Sequence, residues 1–157
     1  MNENFLIEHL HKVYSKHDTS NFNILDFMSA FGSPLDALVY SRLFWPEFIE
    51  FKEMIFLKES IADEDDKHKI AETLKRYGGD KTKTEQSFNL IEVPSGLFSH
   101  GLGDTTEEED RWLAEQLSEM WLRRLQFLYT NRKFEVMVLD PEETGGEVGV
   151  IFYQLGS

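Results

Sequence analysis

The chain has 157 residues, 13 of them phenylalanine, no cysteine, and a formal net charge of −13. That length suits one domain with a real core, and so many phenylalanines exclude global disorder. The missing thiols exclude disulfides, thiolate nucleophiles and cysteine-ligated zinc or iron–sulfur sites; the acidity disfavours nucleic acid and anionic membrane surfaces as partners.

The opening MNENFLIEHLHK lacks a basic leader followed by an apolar stretch, which argues against a secretory signal. No apolar run approaches the roughly 18–20 residues needed to span a bilayer, so a cytoplasmic setting is expected. Residues 4–17 read as an amphipathic helix, with Phe5, Leu6, Leu10, Val13 and Tyr14 at helical spacing. The polar break at Asp18, Thr19, Ser20 and Asn21 ends it. A second helix runs through Ile24, Leu25, Phe27, Met28 and Phe31 to a stop at Gly32. Ser33 as cap and Pro34 at the first helical position start a third, which carries Leu38, Val39, Arg42 and Leu43 into Trp45-Pro46. Proline cannot continue that helix, so the chain hands over to strand.

Residues 43–57, LFWPEFIEFKEMIFL, are the expected seed of the core. Ile49 and Phe51 alternate with Glu50 and Lys52, and residues 54–57 are apolar on both faces. Residues 61–77 predict an outer helix, with Asp63, Glu64, Asp65 and Asp66 at its start and Lys75 and Arg76 in its last turn, the order the helix dipole favours. After Gly78-Gly79, residues 80–85 read as a polar loop and 86–93 as a third strand. The glycine-bearing segment 94–104, PSGLFSHGLGD, is the longest expected loop.

Thr106 and Glu109 have the spacing of a capping box and open the longest helix, which runs to about Tyr129 with Leu113, Leu117, Met120, Trp121, Leu125 and Leu128 along one face. Strands follow at 134–139 and 147–155, joined through Asp140-Pro141 and Gly145-Gly146. The last strand is apolar on both faces, so it is either central or covered by another copy, which leaves a homodimer open. These elements predict an α+β fold, a single domain over 1–157 with a mainly antiparallel sheet of about four to five strands packed against helices.

No residue pattern announces catalysis. His9 and His11 are two apart and point to different helix faces, and His68 stands where a calcium loop needs glycine, so no metal or cofactor is expected. Ser99, His100 and Asp104 are too close in sequence to make a working nucleophile, base and acid, and no nucleophile-elbow or dinucleotide motif is present. Two binding surfaces remain. Glu107, Glu108, Asp110, Glu115 and Glu119, with Trp112 among them, extend an acidic patch beyond what helix capping requires. Such a patch suits a basic protein partner, with Trp112 as anchor. An immunity-type inhibitor of a cationic toxin is the sharpest form of that expectation. The alternative is a small-molecule site or minor enzyme on the 94–104 loop, using His100 and Asp104 with Glu47, Glu50 or Glu92. Acidic mimicry of nucleic acid fits the charge but not an aromatic-rich core.

The phrase LFWPEFIEFKEMIFL, with TEQSFNLIEVP and the late MW…L…F pattern, resembles small acidic bacterial proteins of unassigned function. The resemblance implies a bacterial, single-domain, cytosolic setting and no particular activity.

Overall fold

A computed structural model describes residues 3–98 and 103–156. Contacts divide the chain into two units, Met1–Ser41 and Arg42–Ser157. In the first, α1 (Glu3–Val13) stops before the predicted residue 17, because the chain tightens into three-residue turns: Ser15 N–H donates to the Lys12 carbonyl and His17 N–H to that of Tyr14. α2 (Ile24–Phe31) starts on a capping box. Asn23 Oδ1 accepts from Leu25 and Asp26 N–H at 2.8 and 3.1 Å, and Asp26 accepts from Asn23 N–H at 2.9 Å. Gly32 ends α2, since a Cβ there would lie 2.5 Å from the Met28 carbonyl oxygen. Phe27, 4% exposed, centres an aromatic cluster with the His11 and Phe22 rings at 5.3 Å, while Tyr14 stacks on Phe31 at 3.9 Å. α3 (Pro34–Phe44) is capped by Ser33 Oγ, which accepts from Leu35 N–H. It buries none of its residues.

The second unit is built on a hairpin of β1 (Phe48–Phe51) and β2 (Met54–Leu57). Its two-residue turn places Lys52 and Glu53 at φ 53° and 65°, so Lys52 belongs to a left-handed turn and not to a strand face. All four β2 residues are buried. Ile55 and Leu57 enter the larger core with Phe48, Leu117, Trp121 and Phe152, whereas Met54 and Phe56 enter a second one with Ile61 and Ile70. The stretch expected to seed the core therefore serves two cores at once. α4 (Glu64–Arg76), capped by Asp63, supplies Ile70 and keeps its charged residues outside.

Residues 80–93 correct the sequence reading. The expected loop and the first half of the expected strand form a helix, α5 (Lys81–Phe88), and β3 is confined to Ile91–Glu92. Asp80 caps α5 by accepting from Lys83 N–H at 2.9 Å. This helix buries Thr84 and Glu85, with Asn89 at its end, each 0% exposed. Polar residues carry the buried face, so no apolar period marks it.

α6 (Glu107–Leu128) opens on the predicted capping box, with Thr106 N–H donating to Glu109 at 2.8 Å. It packs Ala114, Leu117, Trp121 and Leu125 into the larger core. β4 (Phe134–Leu139) and β5 (Gly149–Gln154) are joined through a one-turn helix, α7 (Pro141–Thr144). The fold is α+β, and all strand pairs are antiparallel. The strands do not form one sheet, however; they divide into the β1-β2 hairpin and a three-stranded sheet of order β3-β5-β4. β5 is central, with Val150, Phe152 and the preceding Val148 in the larger core and the Trp121 and Phe48 rings edge-on to Phe152. Its opposite side grades outward from Ile151, 9% exposed, to Leu155, 49% exposed.

The carboxylate of Glu85 joins the two sheets. The hairpin register leaves the Ile55 N–H and C=O pointing away from β1. Ile55 N–H donates to Glu85 Oε1 at 2.7 Å, and Asn89 Nδ2 donates to the Ile55 carbonyl at 2.8 Å. Two side chains one helical turn apart thus replace a neighbouring strand. From β5, Gln154 N–H donates to Glu85 Oε2 at 2.7 Å and Gln154 Nε2 to Oε1 at 2.6 Å. Burial pushes the pKa of Glu85 up, while these three donors pull it down. Truncation would strand all three, at about 1–3 kcal/mol per orphaned donor. Glu85→Ala should therefore cost at least about 3 kcal/mol, and the isosteric Glu85→Gln, which turns an amide N–H₂ against one donor, about 1–3 kcal/mol. Urea denaturation followed by circular dichroism reads both; a loss below about 0.5 kcal/mol in Glu85→Ala would remove this carboxylate from the account of the fold.

Candidate functional site

The predicted acidic residues separate on α6 according to helical geometry. Glu108, Trp112, Glu115 and Glu119, at spacings of four, three and four, form one stripe. Asp110 lies off it, on the side that continues into the core residues Leu117 and Trp121, and accepts from Thr105 Oγ1 at 2.6 Å. Glu107 is held by Arg111, which also pairs with Asp140. Glu119 accepts from Arg123 at 2.6 Å. Glu108 and Glu115 are exposed and have no ion-pair or hydrogen-bond partner among the described residues. They are the two carboxylates of the stripe whose charge nothing nearby compensates. Trp112 is half-buried.

The residues assigned to the alternative site each have their own neighbours. His100 lies outside the described residues, and Asp104 is exposed. Glu47 takes Arg42 Nη1 at 2.6 Å and Lys58 Nζ at 2.5 Å. Glu50 takes Arg132 Nη2 at 2.7 Å. Glu92 accepts weakly from Ser95 Oγ at 3.3 Å. Three carboxylates committed to three different elements do not make a shared cluster, and no group of metal-ligating side chains occurs among the described residues.

Two surfaces escaped the sequence reading. On α2 and α3, Leu25, Met28, Leu35, Leu38 and Val39 are 73, 62, 68, 66 and 60% exposed. The sequence reading places Leu25, Met28, Leu38 and Val39 on helices without assigning them a face, and aromatics of α2 pack inward instead. In the second unit, the Arg124 guanidinium lies 5.1 Å from the Trp45 ring and 5.8 Å from that of Phe127. Arg124 Nε donates to the Pro46 carbonyl at 3.3 Å, and the flanking rings are 45 and 70% exposed. Trp121, by contrast, is fully buried and donates Nε1–H to the Leu43 carbonyl at 2.8 Å.

Among the described residues no helix is long and apolar enough to cross a membrane. The chain matches no protein-family model, no curated protein and no solved structure.

The Glu47 pair yields a pH test. Hydrogen bonds from Lys58 and then Arg42 lower its pKa from the ordinary 4.5 to about 2. A depressed carboxylate pKa brings stability that is present above the unfolded value and is lost as pH falls through the folded one. Thermal melts between pH 5 and about 2 should show a shallower acid loss in Glu47→Gln than in the wild type. Parallel curves would show that the pair contributes nothing to acid sensitivity.

Proposed function

We propose that this is a non-enzymatic interaction protein whose partner is a basic protein, an immunity-type inhibitor of a cationic toxin being the most specific form of that reading. The observation that carries it is the bare apolar face of α2 and α3, where five large aliphatic side chains are each at least 60% exposed. Large apolar side chains exposed together on two successive helices favour an interaction site, and each yields about 1.5–3 kcal/mol when fully buried.

Charge supplies the sign of the partner. The chain carries −13, and Glu108 and Glu115 stand exposed and uncompensated on α6. Uncompensated carboxylates repel acidic surfaces and accelerate encounter with basic ones, an effect that salt screens over a Debye length of about 8 Å at physiological strength. The apolar contact then provides the lifetime of the complex. A binding protein of this type needs no catalytic apparatus.

The test is affinity capture from lysate of the source cell at low and high salt, with the wild type, Glu108→Lys/Glu115→Lys and Leu35→Ser/Leu38→Ser compared side by side. One stoichiometric basic protein should be captured by the wild type, associate more slowly at high salt, and associate about tenfold more slowly with the charge-reversed form. The serine form should release it faster. All four positions are exposed, so the variants should retain wild-type circular dichroism. Equal capture by all three forms, or none by the wild type, overturns the proposal.

A further inference from the structure

Against the acidity of the whole chain, one pocket of the second unit is basic. A concavity of about 440 Å³ is lined by Lys81, Asn131, Arg132, Lys133, Gln154 and Glu53. Its volume falls within the range of about 300–1,000 Å³ typical of small-molecule sites. The floor is built on the buried Glu85 network, because Gln154 is fixed there by both its backbone and its side chain.

The wall is equally constrained. Arg132 Nη1 donates to Gln154 Oε1 at 3.1 Å and to the Glu53 carbonyl at 3.2 Å, while Nη2 donates to Glu50 at 2.7 Å. Gln154 Nε2 also donates to the Glu53 carbonyl, at 2.8 Å. Lys81 pairs with the Glu53 carboxylate. Glu50 and Glu53 are therefore spent on Arg132 and Lys81, and both oxygens of Glu85 are occupied behind Gln154. Lys133 is left: exposed, beside the pocket, and without an ion-pair partner among the described residues. An uncompensated ammonium next to a fixed guanidinium and the Asn131 amide is a receptor for negative oxygen.

We propose that this pocket binds a small organic oxyanion, a phosphorylated or carboxylated metabolite, with Lys133 as the principal contact and Arg132 as the preorganised wall. The inference does not depend on the protein-partner reading: the ligand is small, opposite in charge to the chain, and sits on other residues.

The full chain is titrated calorimetrically with inorganic phosphate, pyrophosphate and citrate, each against sodium chloride of equal ionic strength. Saturable heat from the phosphates alone identifies a phosphate ligand, and from citrate alone a carboxylate ligand; either supports the site. Lys133→Ala should weaken the active anion about tenfold, and Lys133→Glu should abolish saturation. Lys75→Glu is the control for net charge, since Lys75 is exposed on α4 away from the pocket and has no ion-pair partner among the described residues. It should leave the titration unchanged. No saturable heat from any of the three anions, or an equal loss in Lys75→Glu and Lys133→Glu, overturns the proposal.

Discussion

A carboxylate removed from water must find donors or give up its charge, and Glu85 finds three of them on two different sheets. The open edge of β2 would otherwise present unpaired backbone at Ile55, which is 0% exposed. Glu85 and Asn89 close that edge, and Gln154 brings β5 to the same carboxylate. The hairpin and the three-stranded sheet are consequently linked by side chains and not by a continuous ladder, which is why five strands yield two small sheets.

The rest of the second unit follows from this link. With β2 held at its edge, its two faces are free to serve opposite cores, Ile55 and Leu57 toward α6 and Met54 and Phe56 toward α4. Gln154, once fixed, orients Arg132, and Arg132 in turn holds Glu50 and the Glu53 carbonyl. The basic pocket is thus the outer surface of a network whose inner end is a buried acid. A low-dielectric interior strengthens the bonds of such a network and makes each lost member expensive.

The candidate sites among the described residues are surfaces. The carboxylates that sequence reading grouped as one patch separate into those neutralised by arginine, Glu107 and Glu119, and those left bare, Glu108 and Glu115. Aliphatic side chains on α2 and α3 stay outside while a cluster of rings around Phe27 packs α2 against α1. Both features support the proposed protein partner, and the pocket at Lys133 is a separate, proposed place for a small anion.

Sequence alone determined the elements whose signals are local. Pro34 after Ser33, the Thr106–Glu109 box, Gly78-Gly79, and the apolar runs at 54–57 and 134–139 act within a few residues, so α3, α4, α6, β2 and β4 were legible. So was the α+β class. Tertiary structure decided what depends on distant partners. Residues 80–88 have no apolar period because their buried face is polar, and Thr84, Glu85 and Asn89 are tolerable inside only through the backbone of Ile55 and Gln154 and the Asp80 carbonyl. The same holds for the sites. Spacing could place Glu108, Trp112, Glu115 and Glu119 on one stripe, but which acids remain uncompensated is settled by where Arg111, Arg123 and Arg132 reach. Lys133 gains its significance from residues as far away in sequence as Glu50 and Glu53, since charge compensation is a property of space and not of sequence.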